Sequence, residues 1–419
     1  MEPTRAGWQE AVATLLNHSH LTAPSSLSDM INETVRPIGV EVSIYLVDRE
    51  QVALRALPRL GAPDLEPLQI DTTLPGRAFM TLSVLVPPGQ PDRIWVPMVD
   101  GADRLGVVEF ALPEGVSALR QPVRDGARLV AATISYLVVA KSAYGDTIRR
   151  ARRSQPMSVG GELLWRALPP LTFLTDDFGF AAVLEPCYDV GGDAFDYSFD
   201  HEVLHVSVFD AVGHGLTAAL TSTLTLAATR ARRTAGDGLL AAVAAADQAL
   251  TEQFSDSRYT TAILAEIDGQ TGRVHYVNAG HPPAVVIRDG KAVATLAAAP
   301  RPPLGLPGPT VLAYQDLQPG DRLLFYTDGI TEARDGEGGF FGVDRLIDLA
   351  ERHSSGDLPA AETLRRLSRA VLEHQEGSLA DDATLLLVEW TPGRGHRVTS
   401  QAGDAVAVRP AGAGGPAPA

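Results

Sequence analysis

The sequence predicts an α+β protein made of more than one folding unit. Its 419 residues at 45% hydrophobic content exceed what a single core needs. Short β-like runs arrive in two separate groups, and helical patterns cluster instead of alternating with each strand. Grouped strands favour antiparallel sheets covered by helices over an alternating parallel fold.

Residues 1–120 open with a helical pattern around Trp8, Val12 and Leu15-Leu16. β-like runs follow at Val42–Val47, Val52–Leu57, Ser83–Val86, Ile94–Val99 and Gly106–Leu112. Turns are marked by Pro75-Gly76, Pro88-Gly89 and Asp100-Gly101. This is the pattern of a small α+β domain. Residues 121–170 read as a helical connector in two pieces, with Leu129, Ile134, Leu137 and Val138 on one side, Pro156 and Gly160-Gly161 as interruptions, and Pro169-Pro170 as the end. The apolar face around Leu129–Val139 is expected either to pair between the subunits of a homodimer or to pack on the first domain. The basic cluster Arg149, Arg150, Arg152 and Arg153 reads as a solvated helix face.

Residues 171–390 alternate apolar strands with Asp/Gly-rich turns. Strands are expected at Gly179–Glu185, Val203–Asp210, Thr260–Ile267, Arg273–Ala279, Ala284–Ile287, Arg322–Thr327 and Ala383–Glu389. Helices are expected at Leu216–Arg233, Leu239–Phe254 and Ala361–His374. The segment 391–419 has no periodicity and reads as a disordered tail.

Composition narrows the function. Lys and Arg total 35 against 51 Asp and Glu, a net charge of −16, which gives a nucleic-acid backbone no electrostatic footprint. The longest apolar run, Leu129–Ala140, is far short of the roughly 20 residues of a bilayer crossing. A single cysteine, Cys187, read as a small buried apolar residue, and a polar start after Met1 predict a cytoplasmic protein with neither disulfide nor leader.

The chemistry lies in aspartates at strand ends among small residues. Asp193 closes Asp189-Val190-Gly191-Gly192-Asp193, Asp210 follows Val206–Phe209, Asp328 follows Leu323–Thr327, and Asp381-Asp382 precedes Ala383–Glu389. Each alone reads as a turn or an N-cap. Together they form an all-oxygen set that hard divalent cations, Mg²⁺ or Mn²⁺, prefer. Four such charges, Asp193, Asp210, Asp328 and Asp381, match two divalent ions, and paired ions suit phosphate ester hydrolysis without a protein nucleophile. Neither a Gly-x-Ser-x-Gly elbow nor a phosphate-binding glycine-lysine loop is found.

The segment Glu162–Trp390 resembles the metal-dependent serine/threonine protein phosphatases (PPM, type 2C), in the bacterial SpoIIE and sigma-regulator branch. Its matching pieces include Asp189–Asp193, Asp210–Gly215, Asn278-Ala279-Gly280-His281-Pro282-Pro283, Tyr326–Ala333 and Asp381-Asp382-Ala383-Thr384. The resemblance implies an α-β-β-α phosphatase sandwich with two metals at one end. Asp210 would bridge both, assisted by the Ala211 carbonyl; Asp193 would serve one, and Asp328 and Asp381 the other, with a slip between Asp381 and Asp382 left open. It further implies a phosphorylated STAS-type anti-anti-sigma protein as substrate. An inactive phosphatase-like scaffold and a small-molecule phosphatase are the competing readings. His214 is balanced between support of the metal site and helix-entry packing, and His281 is expected to order a turn.

The first domain resembles a GAF sensor module through Leu74-Pro75-Gly76-Arg77-Ala78-Phe79 and Trp95-Val96-Pro97. That resemblance leaves open a small-molecule ligand or a purely structural or dimerising role.

Overall fold

The computed structural model describes residues 3–393 except 64, 187, 190, 255, 257, 299, 355–358 and 376–380. Cys187 and the expected tail beyond residue 393 lie outside the described residues. The chain divides into two compact units, Met1–Pro156 and Met157–Ala419.

In the first unit, α1 (Arg5–Ser19) and α2 (Leu27–Val35) precede β1 (Glu41–Val47), β2 (Ala53–Ala56) and β3 (Leu68–Gln69). There follow α3 (Leu74–Thr81), β4 (Arg93–Asp100), β5 (Asp103–Ala111), α4 (Gln121–Lys141) and α5 (Thr147–Ala151). The strands form one antiparallel sheet in the order β3-β2-β1-β5-β4. One face, with Val42, Ile44, Val96, Val108 and Phe110, is covered by Trp8, Leu15, Ile31, Val130 and Ile134 from α1, α2 and α4. The opposite face, with Tyr45, Leu54 and Val107, packs on Ala78 and Phe79 of α3.

Three expectations change here. Ser83–Val86 contributes only an isolated bridge, Leu85 to Trp95. Pro75-Gly76 does not make a turn but lies in the first turn of α3, where Thr73 caps the Gly76 N–H. Proline tolerates that position, and glycine is required because a Cβ on Gly76 would lie 1.9 Å from the Ile70 carbonyl oxygen. The stretch expected as a connector is divided between the units at Pro156. Val130, Ile134, Leu137 and Val138 of α4 are buried in the first unit's own core, whereas Leu129, Tyr136 and Val139 are 44%, 67% and 41% exposed, so α4 packs one side on its own domain and leaves an apolar strip on the other.

The second unit runs α6 (Val159–Ala167), β6 (Thr172–Leu174), β7 (Phe178–Glu185), β8 (Asp193–Asp200), β9 (Val203–Ala211), α7 (Gly215–Thr234), α8 (Leu239–Gln253), β10 (Thr260–Asp268) and β11 (Arg273–Ala279). It continues with β12 (Val285–Arg288), β13 (Lys291–Thr295), β14 (Ala313–Asp316), β15 (Arg322–Tyr326), α9 (Asp328–Thr331), α10 (Val343–Ser354), α11 (Ala360–His374) and β16 (Ala383–Trp390). Gly160-Gly161 does not interrupt α6; Ser158 caps the helix by accepting from Gly161 N–H.

Two antiparallel sheets result, β14-β11-β10-β9-β8 and β13-β12-β15-β16-β7-β6. Strand alternation sends Val208, Ile263, Phe325 and Leu386 into a shared core between them. The neighbouring residues Phe209, Ala262 and Leu264 face Leu226, Val243 and Leu250 of α7 and α8. On the other side Leu324, Leu385 and Leu387 face Leu346, Leu364 and Leu367 of α10 and α11. The layering is helix, sheet, sheet, helix.

Candidate metal-dependent hydrolytic site

The strand pairing itself creates the site. Asp193 opens β8 and Asp210 lies near the end of β9, and the two are direct cross-strand partners. Opposed residues of an antiparallel pair share a face with Cβ atoms about 5 Å apart. Ala194 and Phe209 point outward to the helices, so Asp193 and Asp210 point inward, toward the second sheet.

The second sheet meets them with Thr327 and the β16 entry. Thr327 Oγ1 donates to Asp193 Oδ2 at 2.7 Å and accepts from Thr384 N–H at 2.9 Å. Asp193 is 1% exposed. Burial first, then the charges of Asp210 and Asp382, push its carboxyl well above the ordinary carboxylate range, against the lowering effect of Thr384 and Thr327.

Asp210 feels the whole cluster. Burial raises it most, followed by Asp328, Asp381 and Asp382, and its carboxyl reaches about 7 despite Thr261. Asp328 opens α9 and is raised by burial, then by Glu332 and Asp381. Ala211 ends β9, with its N–H donating to Gly192 O at 3.0 Å.

The doublet divides its labour. Asp381 is exposed and its Oδ1 accepts from Asp382 N–H at 2.9 Å. Asp382 turns inward, and its Oδ2 accepts from Gly191 N at 2.8 Å, from Gly192 N, and from Asp193 N at 3.3 Å. Burial raises Asp382, and those three N–H groups oppose the rise. The glycines are there for close approach: a Cβ on Gly192 would lie 2.5 Å from Ala211 O, and one on Gly329 would lie 1.8 Å from Asp382 O.

Five sequence-derived positions, Asp193, Asp210, Ala211, Asp328 and Asp381, therefore gather at one end of the sandwich. Asp210 is not the N-cap of α7; His214 holds that position, exposed and without a side-chain cap bond. The turn expected of His281 is ordered instead by Asn278, whose Oδ1 accepts from the His281 backbone N–H and whose Nδ2 donates to the His281 carbonyl oxygen, while the His281 ring places Nδ1 2.8 Å from Thr261 Oγ1. Burial lowers its pKa to about 3, so the ring is neutral. Thr261 Oγ1 in turn lies 3.5 Å from Asp210 Oδ2.

Thr327, Thr261, Ser222 and the structural role of Asp382 are additions that the motif reading lacked. Ser222 Oγ donates to Gly192 O, pinning the glycine pair from α7. The Thr-Asp pair at 327–328 and the Asp-Asp-x-Thr spacing at 381–384 were the available signals.

Among the described residues, no group of three His, Cys, Asp or Glu side chains is gathered tightly enough to hold a metal ion as it stands. The donor chemistry nevertheless fits hard cations. Every donor is an oxygen, and the elevated Asp193 and Asp210 report negative charge that is crowded and poorly solvated.

Residues 200–391 match the family described as Stage II sporulation protein E (SpoIIE). The phosphoserine phosphatase RsbP of Bacillus subtilis (strain 168) is 29% identical over 217 residues, covering 48% of this chain and 49% of RsbP. The phosphoserine phosphatase RsbU of the same strain is 24% identical over 209 residues, covering 49% of this chain and 62% of RsbU. The solved SiaA-PP2C domain of Pseudomonas aeruginosa is 25% identical, covers 55% of this chain and 93% of that one, and superposes with a TM-score of 0.47. The chain thus spans about half to three fifths of the length of these two curated relatives. No helix of the described residues is long and apolar enough to cross a membrane.

Proposed function

We propose, from the premise that residues 200–391 form a SpoIIE-type phosphatase domain of the PPM class, that the protein hydrolyses phosphoserine and phosphothreonine on a regulatory protein. The observation that carries the reading is the register pairing of Asp193 with Asp210 beneath Asp328 and Asp381. Two divalent cations, Mn²⁺ or Mg²⁺, are the cofactor reading. When bound they would supply Lewis acidity to the phosphate and to the attacking water.

The chain's own residues prepare that end of the sandwich. Asp193, Asp210, Asp328 and Asp381, with the Ala211 carbonyl, supply oxygen donors. Thr327 fixes Asp193 from the opposite sheet, and Asp382 clamps the Gly191–Asp193 backbone. Ser222 bonds Gly192 O and Thr327 bonds Asp193, so both of these hydroxyls are engaged. Direct attack by water, not by a serine, is the chemistry this supports.

RsbP and RsbU are described as phosphoserine phosphatases, which supports phosphoserine as the group hydrolysed; a phosphorylated STAS-type regulator of a partner-switching pathway is the substrate that the resemblance to the sigma-regulator branch implies. The first unit is read as a GAF-like sensor that governs the phosphatase unit, in a cytoplasmic protein. The test is release of phosphate from a phosphorylated STAS-type protein with Mn²⁺ or Mg²⁺ titrated in. Asp210→Ala is expected to abolish release and keep the fold; full activity in that variant refutes the assignment. Comparison with nucleotides separates a small-molecule phosphatase, and calorimetry showing no metal uptake would favour a scaffold.

A further inference from the structure

The first unit contains a cavity of about 530 Å³ that the phosphatase chemistry does not use. Its floor is β1 and β2, its wall the loop residues 57–59, 62, 63, 65 and 67, and its far side α5 with Arg153. Val42 and Ile44 on the floor belong to the core beneath α1, α2 and α4. Arg55 pairs in register with Leu46, whose side chain lies in that same core. The cavity is therefore on the sheet face opposite α3.

Among the described lining residues are four arginines, Arg55, Arg59, Arg150 and Arg153, and one carboxylate, Glu41; Arg153 has interactions of its own. Arg59 is paired with Glu41 at 2.7 Å. Arg55 Nε lies 3.5 Å from Asp48 Oδ2, but Asp48 already accepts from the Val52 and Ala53 N–H groups. Arg150 is exposed, and its side chain makes no hydrogen bond or ion pair with the described residues. Its neighbour Arg149, outside the cavity, does have a partner, Asp146 at 2.9 Å. The basic cluster is thus not one solvated face: part of it closes a pocket. The remaining lining is mostly apolar, with Ala56, Leu57, Pro58, Pro63 and Leu65 among it, and Ser28 and Ser43 add two hydroxyl-bearing residues.

Gathered guanidinium groups repel one another, and an oxyanion relieves this while accepting paired N–H donors from each planar fork. A volume of this size suits a small molecule. We propose that this cavity binds a small organic anion, a phosphate monoester carried on an apolar or aromatic body. The phosphate is held by Arg55 and Arg150, and the body lies against the proline-rich wall. Arg152 Nε donates to Val47 O and Arg49 N to Arg152 O, each at 3.0 Å, so the segment after α5 is already tied to the β1–β2 turn. A ligand spanning Arg55 and Arg150 adds a further tie in the last residues before the second unit.

The experiment is calorimetric titration of the full chain in EDTA with AMP, with adenosine as its uncharged counterpart and phthalate as a dicarboxylate arm. AMP is expected to bind at least tenfold more tightly than adenosine. Arg150→Gln, which removes no hydrogen bond or ion pair among the described residues, is expected to weaken AMP about tenfold at an unchanged melting temperature, and Arg55→Gln to weaken it likewise. The Asp210→Asn variant should bind AMP as the parent does, which separates this cavity from the acidic site. Tighter binding of phthalate than of AMP would overturn the phosphate assignment. Equal affinities for AMP and adenosine, or AMP binding indifferent to both arginine substitutions, would overturn the site.

Discussion

Asp210→Asn provides the sharpest test of the acidic cluster, because it should stabilise the metal-free protein while destroying its proposed activity. The Asp210 carboxyl rises from an ordinary 3.8 to about 7, driven by burial and by Asp328, Asp381 and Asp382. A raised carboxylate pKa means that the folded state holds its proton more tightly than the unfolded chain. Its penalty is therefore absent below about pH 4, grows as pH rises, and is complete above about pH 7. At 1.36 kcal/mol per pH unit the full displacement is worth about 4 kcal/mol. Solvent reaches part of the group, so about half, roughly 2 kcal/mol, is the expected gain from a neutral isostere. Urea unfolding in EDTA should show Asp210→Asn more stable than the parent by that amount at pH 8 and equal to it near pH 4. With saturating Mn²⁺ the order should reverse, since only the parent retains the anionic donor. A variant that is less stable than the parent at pH 8 in EDTA, or a difference that does not change with pH, would refute the reasoning.

Asp382→Ala should lose about 3 kcal/mol in urea unfolding, because three backbone N–H groups lose a charged acceptor. Asp381→Asn should leave stability within about 0.5 kcal/mol and lower metal affinity in calorimetry, since that side chain is exposed. Thr327→Val should cost about 1–2 kcal/mol and weaken metal binding, because Asp193 loses its hydroxyl donor and Thr384 N–H its acceptor. Gly329→Ala should lower the melting temperature by several degrees and abolish phosphate release, because its Cβ would lie 1.8 Å from Asp382 O.

Strands ending in an aspartate were the most legible part of the chain. β15 and β16 carry the apolar runs Leu323–Tyr326 and Leu385–Val388, buried on both faces, and in β9 only His205 and Ser207 break the apolar residues from Val203 to Phe209, so pattern locates all three. β8 escaped because Asp193, Asp196 and Asp200 interrupt its apolar residues. Asp196 is buried at the expense of no lone charge: Arg230 and Arg233 of α7 bond it at 2.6 and 2.7 Å, partners more than thirty residues away. α10 was missed, and the edge strands β6, β13 and β14 are short or exposed and carry little periodic signal. At the site, the clustered aspartates could be named from their motifs. The task of Asp382 could not, because it depends on N–H groups some 190 positions earlier.

The Thr327–Asp193 bond joins a residue that follows β15 to the first residue of β8, across the interior of the sandwich. The acidic end is therefore a latch between two layers, not a pit within one. The aspartates proposed as donors come from both sheets, so their alignment depends on the spacing between the layers, and anything that altered that spacing would be felt at this end of the sandwich.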